Sequence, residues 1–141
     1  MRTLHTTCRL AMMACVLGVL AACASLGTQG DALEKAQYAY SAAIRWGDIE
    51  GAWTLVDPDY RQANPMTDLA FERYKQVQVT GYRDIAAQVG EGTAAREIEI
   101  GVVNRHTMRT RSIRYTERWR YDAEAKAWWL TVGLPDFWAG E

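Results

Sequence analysis

Between Asp31 and Arg45 the apolar residues Leu33, Ala36, Tyr40 and Ile44 recur at spacings of three and four, while Glu34, Lys35 and Arg45 fall elsewhere. That period predicts an amphipathic helix. Asp31 is placed to cap it, with Glu34 as the reciprocal partner. Gly47 offers a left-handed stop, and Asp48 then caps a second helix through Trp53, Leu55 and Val56. Asp57-Pro58 is expected to end that helix, because a residue before proline avoids the helical region. A third helix is predicted from Pro65 or Thr67, presenting Phe71, Tyr74 and Val77 to the core and stopping before Gly81.

After Gly81 the period shortens to two. Tyr82 to Val89 reads as a first strand, Gly90-Glu91-Gly92 as a turn, and Ala94 to Val103 as a second strand in which Ile98 and Ile100 alternate with Glu97 and Glu99. The chain turns again at Asn104 to His106. A long third strand places Ile113, Tyr115, Trp119 and Tyr121 on one face and Arg114, Thr116, Arg118 and Arg120 on the other. After a polar turn at Asp122 to Lys126, Trp128, Leu130 and Val132 make a fourth strand. Helices followed by strands imply an α+β fold, with N-terminal helices packed on a curved antiparallel sheet of about four strands.

The N-terminus has a different pattern. Arg2 and Arg9 precede an apolar run from Leu10 to Leu20 and the small residues Ala21 and Ala22, the order of an export signal. A spanning helix needs about twenty apolar residues, and this run is shorter. Leu20-Ala21-Ala22-Cys23 resembles the bacterial lipobox. The resemblance implies cleavage before Cys23, a diacylglycerol on its thiol and usually an acyl chain on the freed amine. Because each buried methylene contributes about 0.8 kcal/mol, two or three chains hold a protein at a membrane where one does not. The expected organisation is a signal peptide over 1–22, a lipidated Cys23 and flexible tether over 23–30, and one domain over 31–141. Ala24 is not the Asp usually read as retaining a lipoprotein on the inner membrane. In a host with two membranes, the resemblance therefore points to the outer one, facing the periplasm.

Cleavage would leave 119 of the 141 residues, enough for one modest core. Two of the sixteen Lys and Arg and none of the seventeen Asp and Glu lie in the segment removed, so the mature balance is −3, which argues against a nucleic-acid partner. Cys8 and Cys15 are lost with that segment and the lipid takes the sulfur of Cys23, so neither a disulfide nor a thiolate metal site is expected. His106 would be the only remaining histidine, in a turn, and a histidine cluster for zinc is not available within one chain.

The layout from Ala32 to Leu134 resembles the nuclear transport factor two-like, cone-shaped fold shared with ketosteroid isomerase and small envelope lipoproteins. The stretch that carries the resemblance is Tyr40 to Pro58, where an aromatic-bearing helix leads to Gly47-Asp48, then Ala52-Trp53-x-Leu55, then Asp57-Pro58. One fold hosts many activities, so function must come from the site.

Three features bear on that site. Strict alternation puts Glu117 on the same face as Tyr115, Trp119 and Tyr121, where a carboxylate in apolar surroundings can serve as general base. The plainer account is that an Arg or a Tyr hydroxyl satisfies it, or that a bulge turns it outward. Arg105, Arg109, Arg111, Arg114, Arg118 and Arg120 are the densest charge feature. They suit either an anionic partner or cross-strand pairing with Glu97 and Glu99. Of the adjacent Trp128 and Trp129, one should join the core and the other cover a helix, a dimer mate or a ligand.

Taken together, these features favour a membrane-anchored, non-catalytic module that binds an envelope protein or a small apolar ligand and needs no cofactor or metal. Trp119, Trp128, Trp129, Arg114, Arg118 and Arg120 are its candidate surface. The rival is an isomerase- or dehydratase-like enzyme with Glu117 as base and Tyr38, Tyr40, Tyr60 or Tyr115 as hydrogen-bond donor, Tyr40 and Tyr115 foremost. A third reading is a structural envelope component that forms a homodimer through its sheet.

Overall fold

The computed structural model describes residues 27–139, so the expected signal peptide, Cys23 and the start of the tether lie outside the described residues. The chain divides into two compact units, Met1–Glu34 and Lys35–Glu141. Of the first, residues 27–34 are helical throughout. The expected tether over 27–30 and the cap at Asp31 are therefore corrected: no proline interrupts this stretch, and Asp31 lies within the helix.

The second unit opens with α1, residues 35–46, whose Tyr40 and Ile44 are completely buried, as the three-and-four spacing predicts. Gly47 stops it at φ +77°. The Gly47 N–H donates to the Ile44 carbonyl at 3.3 Å and the Asp48 N–H to the Ala43 carbonyl at 2.9 Å. These two bonds are the Schellman arrangement that satisfies the last carbonyls of a helix. The Asp48 carboxylate then accepts from the Gly51 N–H at 2.9 Å and starts α2, Ile49–Thr54.

Asp57-Pro58 does more than close α2. Pro58 opens a further helix, α3, Pro58–Ala63, with Asp57 as its N-cap. A proline at the first helical position gives up only an N–H that has no partner there anyway. The next helix, α4, Asp68–Tyr74, is capped by Thr67 and is shorter than the periodicity predicts. Val77, expected on its inner face, instead begins a strand, where its branched side chain is at home.

The sheet is an antiparallel meander in the order β1 (Val77–Gly90), β2 (Thr93–Asn104), β3 (Thr110–Asp122), β4 (Ala127–Leu130). Ala94, Ile98, Ile100 and Val102 of β2 share the buried face with Ile113, Glu117 and Trp119 of β3. The opposite face carries the Arg83–Glu99 and Arg114–Glu97 ion pairs at 2.7 and 2.6 Å. Two register shifts interrupt β1, between Val79 and Gly81 and between Asp84 and Ala86. Gly101 permits the first, since a Cβ there would lie 2.9 Å from the Thr80 hydroxyl. Each bulge inserts one residue and so reverses which side chains face inward.

The connection between α2 and α3 is tied to β4. The Leu130 N–H donates to the Leu55 carbonyl at 3.0 Å, and the Asp57 N–H donates to the Leu130 carbonyl at 2.8 Å. The Asp57 carboxylate accepts from Arg120 Nε at 2.5 Å. That hydrogen bond is the main cause holding the Asp57 carboxyl below the ordinary carboxylate range, against the opposing effect of its burial.

A pH dependence follows from Asp57. Its folded-state value lies below the unfolded value of about 3.9, so on acidification the unfolded chain takes up the proton first. The stability it contributes is present above about pH 4 and is lost as pH falls through the lower folded-state value. Asp57→Asn, which retains capping ability, is expected to flatten the fall in urea midpoint between pH 5 and 3 relative to the parent chain. Equal slopes in the two proteins would remove Asp57 from the account.

Candidate functional site

Glu117 lies midway along β3 with its side chain on the inner face and no exposure to solvent. Its direct cross-strand partner is Arg96 of β2. Arg96 Nε donates to Glu117 Oε2 at 3.0 Å and Arg96 Nη2 to Oε1 at 2.9 Å, the two-pronged geometry in which guanidinium and carboxylate fit best. Trp119, two residues on and therefore on the same face, donates its indole N–H to Oε2 at 2.8 Å. The Tyr82 hydroxyl donates to Oε1. Tyr82 reaches inward only because the first bulge of β1 reverses its phase and sets it opposite Ile100.

Arg96 is held in turn. Its Nη1 lies 3.5 Å from the Asp84 carboxylate, and its Nη2 lies 3.5 Å from the Gln37 carbonyl of α1. Tyr40 of α1 packs edge-on against the Trp119 ring, with centroids 5.7 Å apart. Tyr115 donates its hydroxyl proton to the Gly133 carbonyl at 2.8 Å, so the 3.0 Å contact between the Tyr40 and Tyr115 hydroxyls is one in which Tyr40 donates. Burial pushes the Tyr40, Tyr82 and Tyr115 hydroxyls well above the ordinary phenol value. The Glu117 charge raises all three further, and the bond from Tyr40 partly offsets the shift at Tyr115. All three therefore stay protonated at neutral pH.

Chemically, this is a satisfied carboxylate. A general base must come within about 2.6–3.2 Å of the proton it removes. Both Glu117 oxygens already have protein donors at that range, and the residue has no exposed surface. Tyr40 and Tyr115, the foremost candidate donors, bond to each other and to Gly133 rather than to Glu117. Tyr38 is 74% exposed, and Tyr60 stacks edge-on against Trp53 at 6.3 Å. The plainer account of Glu117 is the one the geometry matches, with Arg96 and Tyr82 as the partners.

The candidate surface divides. Trp119 and Trp128 are 2% and 5% exposed, and this corrects their assignment to a partner surface: both face the core, where large rings bury most area. Trp129 is half-buried, as one of the adjacent pair should be. Arg114 is exposed but paired with Glu97, as the cross-strand account expects. Arg120 pairs with Asp57 and lies 3.5 Å from Asp122, so its guanidinium is tied into the fold. Arg118 is exposed and borders an open cleft of about 550 Å³ between the ends of β1 and β2 and Thr131. His106 lies exposed in the turn after β2, where its N–H donates to the Asn104 side chain at 2.9 Å. A second cleft, of about 320 Å³, opens beside Trp46 and Arg105.

Sequence reasoning passed over Arg96 and Tyr82. Arg96 shares the parity of Ile98 and Ile100, and that signal was available. Tyr82 carried no such signal, because the bulge that turns it inward has no mark in the alternation.

With this geometry in hand, the chain can be set beside known proteins. No family model and no curated protein matches it. Among solved structures, it is similar to a SEC-C motif containing protein from Rhodopseudomonas palustris, at 14% identity and TM-score 0.54, over 68% of this chain and 72% of that one. It is also similar to a proposed dehydratase of the nuclear transport factor two-like family from Streptomyces avermitilis, at 14% identity and TM-score 0.50, over 71% and 88% of the two chains. At such identity the likeness is one of fold. The helices followed by an open four-stranded antiparallel sheet are the α+β architecture of the nuclear transport factor two-like cone.

Glu117→Gln removes the charge facing Arg96 while keeping the side chain's size. Breaking one side of a buried pair costs about 3–5 kcal/mol. Glu117→Gln is therefore expected to lower the denaturant midpoint clearly, since it leaves the Arg96 guanidinium without its buried counter-charge while a side-chain oxygen can still accept from Tyr82 or Trp119. A single variant as stable as the parent would sink this account of the core.

Proposed function

We propose that this protein is a non-catalytic binding or assembly module, held by lipid on Cys23 at the periplasmic face of a bacterial outer membrane. The observation that carries the non-catalytic part is the closure of Glu117. The inner-face carboxylate best placed to act as a base is locked by Arg96, Tyr82 and Trp119 and has no path to a substrate. The membrane part rests on Leu20-Ala21-Ala22-Cys23 at the end of an apolar run, which resembles a lipobox. Among the described residues no helix is long and apolar enough to cross a membrane, so on this reading the acyl chains supply the attachment.

Mass spectrometry of protein purified from its native cells tests the anchor. The expected N-terminal peptide begins at Cys23 and carries a diacylglyceryl group with or without an amide-linked chain, and Cys23→Ser is expected to abolish incorporation of labelled palmitate. An intact Met1 end, or a processed end with an unmodified thiol, would refute it.

A further inference from the structure

The cleft beside Trp46 has a built polarity. Its floor is the apolar, buried group Ile44, Ile49, Val77 and Phe137. Tyr74 adds a ring whose hydroxyl is already committed to the Pro135 carbonyl at 3.1 Å. At the rim stand Arg45, at the end of α1, and Arg105, in the turn after β2. Neither guanidinium makes an ion pair or hydrogen bond among the described residues, and no Asp or Glu side chain lines the cleft. On the outer face of the sheet, by contrast, Arg83 and Arg114 are paired with Glu99 and Glu97. Trp46 is 86% exposed, so a large amphipathic ring stands beside the opening with most of its surface in water.

We infer that this cleft binds a small amphiphilic anion, with its apolar body against Phe137, Val77 and Trp46 and its carboxylate or phosphate head between Arg45 and Arg105. The inference deepens the binding-module reading above and rests on it. A volume of about 320 Å³ stands at the lower end of the roughly 300–1,000 Å³ that small-molecule pockets span, so the ligand is a short chain or a single ring system rather than a full phospholipid. The C-terminal end of α1 puts partial negative charge nearby. The Schellman bonds at Gly47 and Asp48 satisfy the helix's last carbonyls, and Arg45 offsets the remainder. Covering Trp46 would remove from water the most exposed large apolar side chain of the described residues, which adds an apolar contribution to binding.

Isothermal titration of the full chain with decanoate below its micelle concentration, and with decanol as the uncharged counterpart, tests the assignment. Decanoate is expected to saturate at one site and to bind at least about tenfold more tightly than decanol, since only its charged head makes charge-assisted hydrogen bonds to the two guanidiniums. Arg45→Gln with Arg105→Gln is expected to erase that preference while leaving decanol binding in place. Trp46→Ala should weaken both probes. If decanol binds as tightly as decanoate, or the double arginine variant keeps the preference, the anionic head is wrong although a binding module survives. If neither probe saturates while the chain still associates with phosphatidylglycerol vesicles, the two arginines serve a lipid surface and the cleft assignment falls. None of these outcomes touches the modification of Cys23, which the mass measurement decides separately.

Discussion

A carboxylate without exposed surface cannot stay in an apolar interior unless neighbouring groups replace the water it has lost. In this unit the replacement is collective: Arg96 supplies the counter-charge, and Tyr82 and Trp119 complete the set of donors. Each donor comes from a different constraint of the fold. Arg96 depends on the β2–β3 register, Tyr82 on the bulge in β1, and Trp119 on the two-residue repeat of β3. A slip of one residue between β2 and β3 would send Arg96 to the wet face and leave Glu117 charged and unpaired inside. The network thus ties three strands to one register, and through Trp119 and Tyr40 it sets where α1 lies on them.

The same network fills the middle of the sheet's inner face among the described residues. Side chains that elsewhere might face a ligand here face one another, and Tyr40 and Tyr115 spend their hydroxyls on each other and on Gly133. Polar groups satisfied in this way rigidify a core, because the low local dielectric strengthens each bond and penalises any loss. Two clefts of the described residues lie toward the ends of the sheet. One is rimmed by Arg118 and Arg120, the other by Arg45 and Arg105.

Most of the architecture was legible in the alternation of side chains. The α+β order, the stops at Gly47 and Gly90 to Gly92, the inward face of Tyr115, Glu117 and Trp119, and the outward face of Glu97 and Glu99 all follow from period and turn chemistry. What was hidden has physical causes. Asp57-Pro58 is both a helix stop and a helix start, and local propensity does not say which wins until the backbone of β4 fixes Asp57. Val77 suits either a helix face or a strand, and only its pairing with Asn104 decides. Tyr82 was invisible because two compensating bulges reverse the phase of β1 and then restore it. Val79, Tyr82 and Val89 thus pair with the inward residues Val102, Ile100 and Ala94 although their spacing is not even.

Those bulges also bear on association through the sheet. β1 is an edge strand with unpaired backbone groups along one side, a ready template for a second chain. Each bulge breaks the regular spacing of those groups and twists the edge away from a straight partner. The outer face is no better suited to stacking, because its Arg83–Glu99 and Arg114–Glu97 pairs are exposed and already neutralise each other. Burying them would remove four charged groups from water for no new counter-charge. Sheet-to-sheet pairing is therefore the costly way for this unit to meet a partner, whereas the cleft at Trp46 exposes apolar surface together with cations that have no partner among the described residues, the two features that association can use.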